Sequence, residues 1–509
     1  MRKLIIFFLC LINLTHINGL LADEVRKLRV HFRDVQGERL SKDFIQRFHC
    51  RDLSDEPCPT RTYVHDGYAT VVLPDKPIQV CALIKIPGFG EVTIYADGKG
   101  KGYSKPGDID FVEEAAATRL MRVREALKRA EHEGIRMPNE FYRKLADAEK
   151  APPYKSLAVT LAAGEELTLA VSKHRIEKMG VHRRGFYFGC NSFGHPARGY
   201  EYDKRFKEIF NFGIAHLYLS HYAPTETVRN FDRTDLEVNW LSSMGMAIKL
   251  CPPFYLAASV TPEWLKNKPY SHTRRAAYNL VKQVCARYAG KVQFCEIMNE
   301  AHDYSNSLRL KPEELTNLAK VCSKAAREGD PNVQRIINCC HLWGEYAAKP
   351  PKTGPPKRSP YAYLRDCIRY GVDFEIIGLQ MYYPEYDLFE IDRLLDRYAK
   401  LGKPIHITEM GCSSSPGIDP NSQRKRASAG WHGDWTEEMQ AEWVEAIYTI
   451  CYSKPYIKAI CWWDLADAVS FWPYGGLLRG DCSPKPAYIR LKGLLEKWGF
   501  IKSYADDSG

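Results

Sequence analysis

The hydrophobic pattern of this chain changes character once. Between about Leu28 and Tyr103, short runs rich in β-branched and aromatic residues are cut by turn residues: LRVHFRDVQGERL, YATVVL, IQVCALIKI and EVTIYADGKG. Apolar and polar positions that alternate over runs of this length predict strands with one buried face, and so a small β-sandwich. The segments from Asp110 to about Glu133 and from Asn139 to Lys150 are rich in Ala, Leu, Glu, Arg and Lys, with Gly134 between them, which predicts a helical hairpin. Strand-like runs return at SLAVTL and ELTLAV on either side of AAGEE. The simplest topology returns both to the sandwich and makes the hairpin an insertion within it.

From about His182 apolar strands alternate with amphipathic helical segments, the mark of a parallel sheet wrapped by helices. The strands are FYFGC, IAHLYLS, AIKLCP, VQFCEIMNE, RIINCC, EIIGLQMY, PIHITEMG and AICWWDL. Eight of them, with a helix-sized segment after each, predict an α/β fold of the (β/α)8 TIM-barrel type. An open doubly wound sheet would usually bring a Gly-rich phosphate loop after an early strand, and none is seen. The expected organisation is a leader over 1–22, an N-terminal β-sandwich with its helical insertion over 23–178, and the barrel over 182–500.

The leader is read from Met1-Arg2-Lys3 followed by an apolar run from Leu4 to about Leu14, too short to span a bilayer, with cleavage expected after Gly19 or Ala22. It predicts a chain secreted or delivered to the periplasm or cell surface. No later segment offers some twenty uninterrupted apolar residues, so no membrane span is expected in the mature chain. Hydrophobic residues at 45% and aromatics at 12% exclude a disordered chain. The net charge of +10 is spread along the sequence, so nucleic acid is not an expected partner. Sixteen cysteines in an exported chain raise the question of disulfides, but Cys10 lies in the leader and the rest are an odd number. Cys50 and Cys58, in a polar stretch, are the best disulfide pair. Cysteines inside apolar runs, such as Cys295 and Cys461, are expected as buried thiols. No CxxC, HExxH or Cys/His ligand cluster appears, so no metal and no other cofactor are expected.

In a barrel of this kind the reacting groups come from the C-terminal ends of strands and the loops after them. FCEIMNE ends in Asn299-Glu300 on the fourth strand, and PIHITEMG carries Glu409 at the end of the seventh. A carboxylate closing an apolar strand is costly unless it has a role. Two of them suit retaining glycoside hydrolysis, which needs a protonated acid and an ionised nucleophile about 5–5.5 Å apart. Glu300 is then the carboxyl expected to have the raised pKa, with Glu409 supplying a like charge. Alternation places Glu296 on the same side of its strand as Glu300, pointing into the barrel as packing or charge support.

These residues carry a resemblance. RYAGKVQFCEIMNEA, IIGLQMYYP with LGKPIHITEMG, and WWDLADAVSFWPYGGLLRGDCSPKPAY resemble, in order, motifs of glycoside hydrolase family ten, the endo-β-1,4-xylanase family, over roughly residues 185–497. The resemblance implies Glu300 as acid/base, Glu409 as nucleophile, Asn299 as a ligand of the sugar 2-hydroxyl, Gln380 as a supporting polar group and Trp463 as the aromatic floor of the sugar site, with Trp472 and Phe471 as weaker candidates. Family positions that bind the sugar next to the scissile bond are changed: Cys251 stands for a His, Tyr255 for a Trp, Tyr382 for a His, and His221-Tyr222-Ala223-Pro224 for Lys-Trp-x-Pro. Cys251, Tyr255, Tyr382 and His221 are therefore expected to line the site and to alter its preference. The implied substrate is a β-linked polysaccharide, xylan first. A β-glucanase or exo-β-glycosidase of the same clan, and an inactive secreted glycan-binding protein, are the alternatives. The basic stretch from His341 to Pro360, with Lys349, Lys352, Lys357 and Arg358, follows the fifth strand and is expected to overhang the cleft, either as a spacer or as a reader of uronic acid groups.

Overall fold

A computed structural model describes residues 26–501 apart from 353–355 and 384; the expected leader lies outside the described residues. The chain forms two compact units. One runs to Gly164 and takes in Gly344–Pro356, and the other holds Glu165–Trp343 and the chain from Lys357 onward.

In the first unit the strands are β1 (Lys27–His31), β2 (Gln46–Asp52), β3 (Thr62–His65), β4 (Tyr68–Val72), β5 (Ile78–Ile86), β6 (Gly90–Ala96) and β7 (Gly107–Asp110). They make two sheets, β3-β4-β1-β7 and β2-β5-β6. Alternate residues Leu28, Val30, Ala69 and Val71 of one sheet share a core with Val80, Ala82, Ile84, Val92 and Ile94 of the other, which is the expected sandwich. The outer side of β5 and β6 is covered by the helix Phe111–His132. From it Arg122 pairs with Asp97 at 3.0 Å, donates to Gln79 at 2.8 Å and lies over the Tyr95 ring.

The second helix of the hairpin, Asn139–Lys150, also forms as expected, but the two strands after it do not. SLAVTL and ELTLAV belong to one helix, Pro153–Met179, in which Ser156, Leu157, Thr160 and Leu161 are buried with helical rather than alternating spacing. Short apolar runs satisfy both periods, and here the Ala, Leu, Glu and Lys between them favour the helix. Among the described residues no strand of the sandwich follows the hairpin, so it is no insertion. Cys50 and Cys58 are free buried thiols, as are the other thirteen cysteines of the described chain. Both pack in the sandwich core, with the Cys58 N–H donating to the Cys50 carbonyl at 2.9 Å.

The second unit is a closed barrel of eight parallel strands: β8 (Tyr187–Asn191), β9 (Phe212–Ala215), β10 (Ala247–Leu250), β11 (Phe294–Asn299), β12 (Gln334–Cys339), β13 (Ile376–Tyr382), β14 (Ile405–Gly411) and β15 (Ile457–Trp462). Each strand pairs with its sequence neighbour, and β15 closes on β8 through Ala459 opposite Tyr187 and Trp462 opposite Cys190. All eight expected strands are present. The second differs most: it runs Phe212–Ala215, and the end of its expected run falls in the helical turn Leu219–Tyr222. Inside the barrel, Lys249 of β10 and Glu296 of β11 form an ion pair at 2.5 Å with both side chains 1% exposed, which confirms the inward aim of Glu296.

Candidate active site

Glu409 lies on β14 and Glu300 directly follows β11, on the fourth and seventh strands of the barrel. Glu300 has φ 53, a left-handed backbone that non-glycine residues adopt at a cost, and its N–H donates to the Asn338 carbonyl at 2.9 Å. That turn lifts its side chain off the strand among neutral donors. The Tyr255 hydroxyl reaches Glu300 Oε2 at 2.6 Å, Ser305 Oγ reaches the same oxygen at 2.7 Å, and Gln380 Nε2 reaches Oε1 at 3.0 Å. Glu409 is more enclosed, at 8% exposure. It accepts from the Tyr382 hydroxyl at 2.8 Å and from Asn338 Nδ2 at 3.3 Å.

One atom ties the two carboxylates together. Asn299 Oδ1 accepts from Gln380 Nε2 at 3.2 Å and from Asn338 Nδ2 at 3.1 Å, the same two amides that bond Glu300 and Glu409. The strand register makes this possible, since Asn299 stands opposite Asn338 and Gln380 opposite Glu409. Asn338 is oriented in turn by Thr408, whose hydroxyl donates to its Oδ1 at 2.6 Å. Gly378 leaves room for it, because a Cβ there would lie 2.6 Å from Asn338 Oδ1.

The charges follow from burial. Glu409 is pushed up to about 8, first by burial and then by the Glu296 and Glu300 carboxylates, with Lys249 opposing. Burial works against the charge of Lys249, but the contact with Glu296 outweighs it and holds the ammonium up. Asp464, just after β15, is also pushed up to about 7, chiefly by burial, while it accepts from the Phe471 N–H at 2.7 Å.

The other expected residues divide. Tyr255 and Tyr382 do meet the carboxylates, as donors to them. Tyr382 also stacks on Phe471 at 4.3 Å, and Trp472 lies beside both Phe471 and Gly411. Trp463 continues β15, takes the Met410 carbonyl with its N–H at 2.7 Å and meets Phe193 edge-on. Cys251 is 2% exposed, so it packs beneath the site and offers no open surface. Burial and the nearby Glu296 and Glu409 carboxylates, against Lys249, push its thiol up. His221 is exposed and hydrogen-bonds His216 at 2.8 Å, one ring further out than Phe193.

In the basic stretch after the fifth strand Lys349, Lys352 and Lys357 are exposed, but Arg358 is not the free cation expected. Gly344–Pro356 belongs to the first unit, where the Ala348 carbonyl accepts from the Thr60 N–H at 3.2 Å, and residues 353–355 lie outside the described residues. Arg358 is spent on Asp303, which it grips with Nη2 at 2.9 Å and Nε at 3.2 Å. Asn338, Ser305 and Tyr218 were not singled out from the sequence. Tyr218 is buried near Cys251, Glu409 and Tyr255. Asn338 had a signal, a fully buried amide in the otherwise apolar run RIINCC, where a polar group needs partners. Ser305 and Tyr218 sit in loops with no pattern to mark them.

The chain is similar to several known proteins. Endo-1,4-beta-xylanase B of Thermotoga neapolitana is 28% identical over 252 residues, covering 46% of this chain and 66% of that protein. Endo-1,4-beta-xylanase B of Neocallimastix patriciarum is 24% identical over 285 residues, covering 53% of this chain and 29% of that protein. The chain thus spans less than two thirds of the length of these relatives. The crystal structure of xylanase 10B from Thermotoga petrophila in complex with xylobiose is 20% identical with a TM-score of 0.49, covering 64% of this chain and 96% of that one. The model of glycosyl hydrolase family 10 matches residues 210–493, more than half of the chain and seven of the eight barrel strands, and the protein belongs to that family.

Proposed function

We propose that the barrel is a retaining glycosidase that cleaves the β-1,4-linked xylan backbone within the chain, with Glu409 as nucleophile and Glu300 as acid/base. The observation that carries this reading is the pair of strand-end carboxylates tethered through two amides to one atom, Asn299 Oδ1, in a family 10 barrel. The relatives named as xylanases supply the choice of xylan.

In this mechanism the Glu409 carboxylate attacks the anomeric carbon while Glu300 gives its proton to the departing glycosidic oxygen, leaving a glycosyl ester on Glu409. Glu300, now ionised, takes a proton from water, which attacks the same carbon and restores both groups. The reactive state holds one proton between the two carboxyls, and such a pair titrates as a unit. Burial, the force that pushes Glu409 up, also leaves its ionised form poorly solvated and so more ready to attack. Tyr382 and Asn338 keep it aimed, and Tyr255, Ser305 and Gln380 hold Glu300 over the leaving oxygen. Trp463 and Trp472 supply ring faces for the sugar.

The leader-like start of the sequence supports an exported protein, and among the described residues no helix is long and apolar enough to cross a membrane. The test is hydrolysis of xylan, mixed-linkage glucan and aryl β-glycosides by wild type and Glu409→Gln, with the anomer of the first product followed by NMR. Fast release of β-anomeric oligosaccharides from xylan, abolished by the substitution, is expected. An α-anomeric first product would overturn the retaining assignment, and cleavage of glucan in preference to xylan would overturn the substrate.

A further inference from the structure

The long segment after β14 carries the basic run Arg424-Lys425-Arg426. It is pinned to the segment after β15 by two backbone hydrogen bonds, from the Gln423 N–H to the Ser470 carbonyl at 2.9 Å and from the Arg424 N–H to the Phe471 carbonyl at 2.8 Å. These bonds fix where Arg424 can reach. Its guanidinium carbon lies 5.2 Å from the centre of the Phe471 ring, a distance at which a cation is held by the ring's negative face. Phe471 stacks in turn on Tyr382, the donor to Glu409. On the other side Arg424 lies near Tyr304, and Tyr304 lies close enough to Glu300 to feel its charge. Neighbours of each proposed catalytic carboxylate thus converge on one guanidinium.

Arg287, Arg335, Arg358 and Arg479 each grip a carboxylate, and Lys454 and Lys485 do the same. Among the described residues no carboxylate lies within ion-pair distance of Arg424, although its side chain is exposed and held. Its neighbour Lys425 turns away, donating to the Pro420 and Ser422 carbonyls at 2.6 and 2.8 Å. Arg426 follows, also exposed. A fixed planar fork with unused donors is the residue type that grips a carboxylate by two parallel hydrogen bonds. The Glu300 and Glu409 carboxylates nearby would repel a densely charged polyanion, which leaves a neutral backbone with isolated acidic groups as the fitting ligand.

We propose that Arg424 is a specificity-determining residue of the cleft, binding the carboxylate of a uronic acid substituent on the glycan backbone. The proposal rests on the xylanase reading and adds to it a preference for acidic over neutral chains. A guanidinium that only braces Phe471 would disturb every substrate alike, so substrates that differ in charge alone decide the matter. The experiment compares kcat/KM of the full-length protein on glucuronic-acid-substituted xylan with that on the same polymer after its carboxyl groups are reduced to alcohols.

The expected preference of the wild type for the acidic polymer is about five- to tenfold, carried in KM, the size of one partly exposed charge-assisted contact. It should fall below about twofold in 0.5 M salt through screening. Arg424→Gln should remove the preference and Arg424→Lys should keep part of it, since the charge survives without the fork. Equal kcat/KM of the wild type on the two polymers overturns this inference and leaves the xylanase reading in place. A preference that survives Arg424→Gln overturns it as well. Failure of the wild type to cut either polymer overturns both.

Discussion

Replacing Glu409 by Gln should make the protein more stable as the pH rises, at the expense of its proposed nucleophile. In the folded state the Glu409 carboxyl is raised from its ordinary 4.5 to about 8, first by burial and then by Glu296 and Glu300. An acid with a raised folded pKa keeps its proton in the native state while the unfolded chain has already ionised. Its effect on stability is therefore absent below about pH 4.5 and grows as a penalty through about pH 8, where it levels off. A rise of about 3.5 units corresponds to a penalty of about 5 kcal/mol. Gln carries no charge at any pH, and it satisfies the same neighbours, taking the Asn338 amide on its oxygen and giving an N–H to the Tyr382 oxygen. For a barrel unit of roughly 330 residues the unfolding entropy is about 0.7 kcal/mol/K, so 5 kcal/mol is a Tm difference of about 7 °C. The assay is thermal unfolding by circular dichroism at fixed ionic strength from pH 5 to pH 9. The two proteins should melt within about 2 °C of each other at pH 5 and separate toward pH 9, with the variant higher. A gap of constant size across that range would show that the substitution acts through packing, and a variant that falls below the wild type with rising pH would refute the burial argument.

Tyr382→Phe removes the phenolic donor from Glu409 but keeps the ring on Phe471, so kcat on xylan should drop about ten- to a hundredfold with a smaller change in KM. A change confined to KM would make Tyr382 a sugar ligand instead. Glu296→Gln deletes a negative charge that pushes Glu409 up and leaves Lys249 free to pull it down, so the acidic limb of kcat/KM should move to lower pH by about one unit. Breaking a buried pair also costs about 3–5 kcal/mol, so the profile is read well below the melting temperature; an unmoved limb would sever the pair from the chemistry.

What the sequence makes legible here is whatever rests on a repeated pattern. Eight apolar runs spaced by helices lead to the barrel, and once the strands are numbered, Glu300 and Glu409 are marked because a charge at the end of such a run is expensive. The failures have one cause in common, which is that a partner decides the outcome and the partner is distant. SLAVTL alternates well enough for a strand, and only the burial of Ser156, Leu157, Thr160 and Leu161 together marks the helix. Arg358 looks unpaired in its own stretch because Asp303, which neutralises it, lies 55 positions upstream. Arg424 looks no different from Arg358 in the sequence, and it is the fold that leaves the one satisfied and the other open. The upward shift at Glu409 goes unforeseen for the same reason. Like-charge repulsion between neighbouring carboxylates can be expected from the strand ends, but the burial that leads the shift cannot. Glu300 turns off its strand toward three donors, while Glu409 stays on β14 and is enclosed with Glu296 near it. Sequence spacing can say that two carboxylates meet, but how far burial pushes Glu409 up depends on its depth in the barrel, and depth is a property of the packed structure.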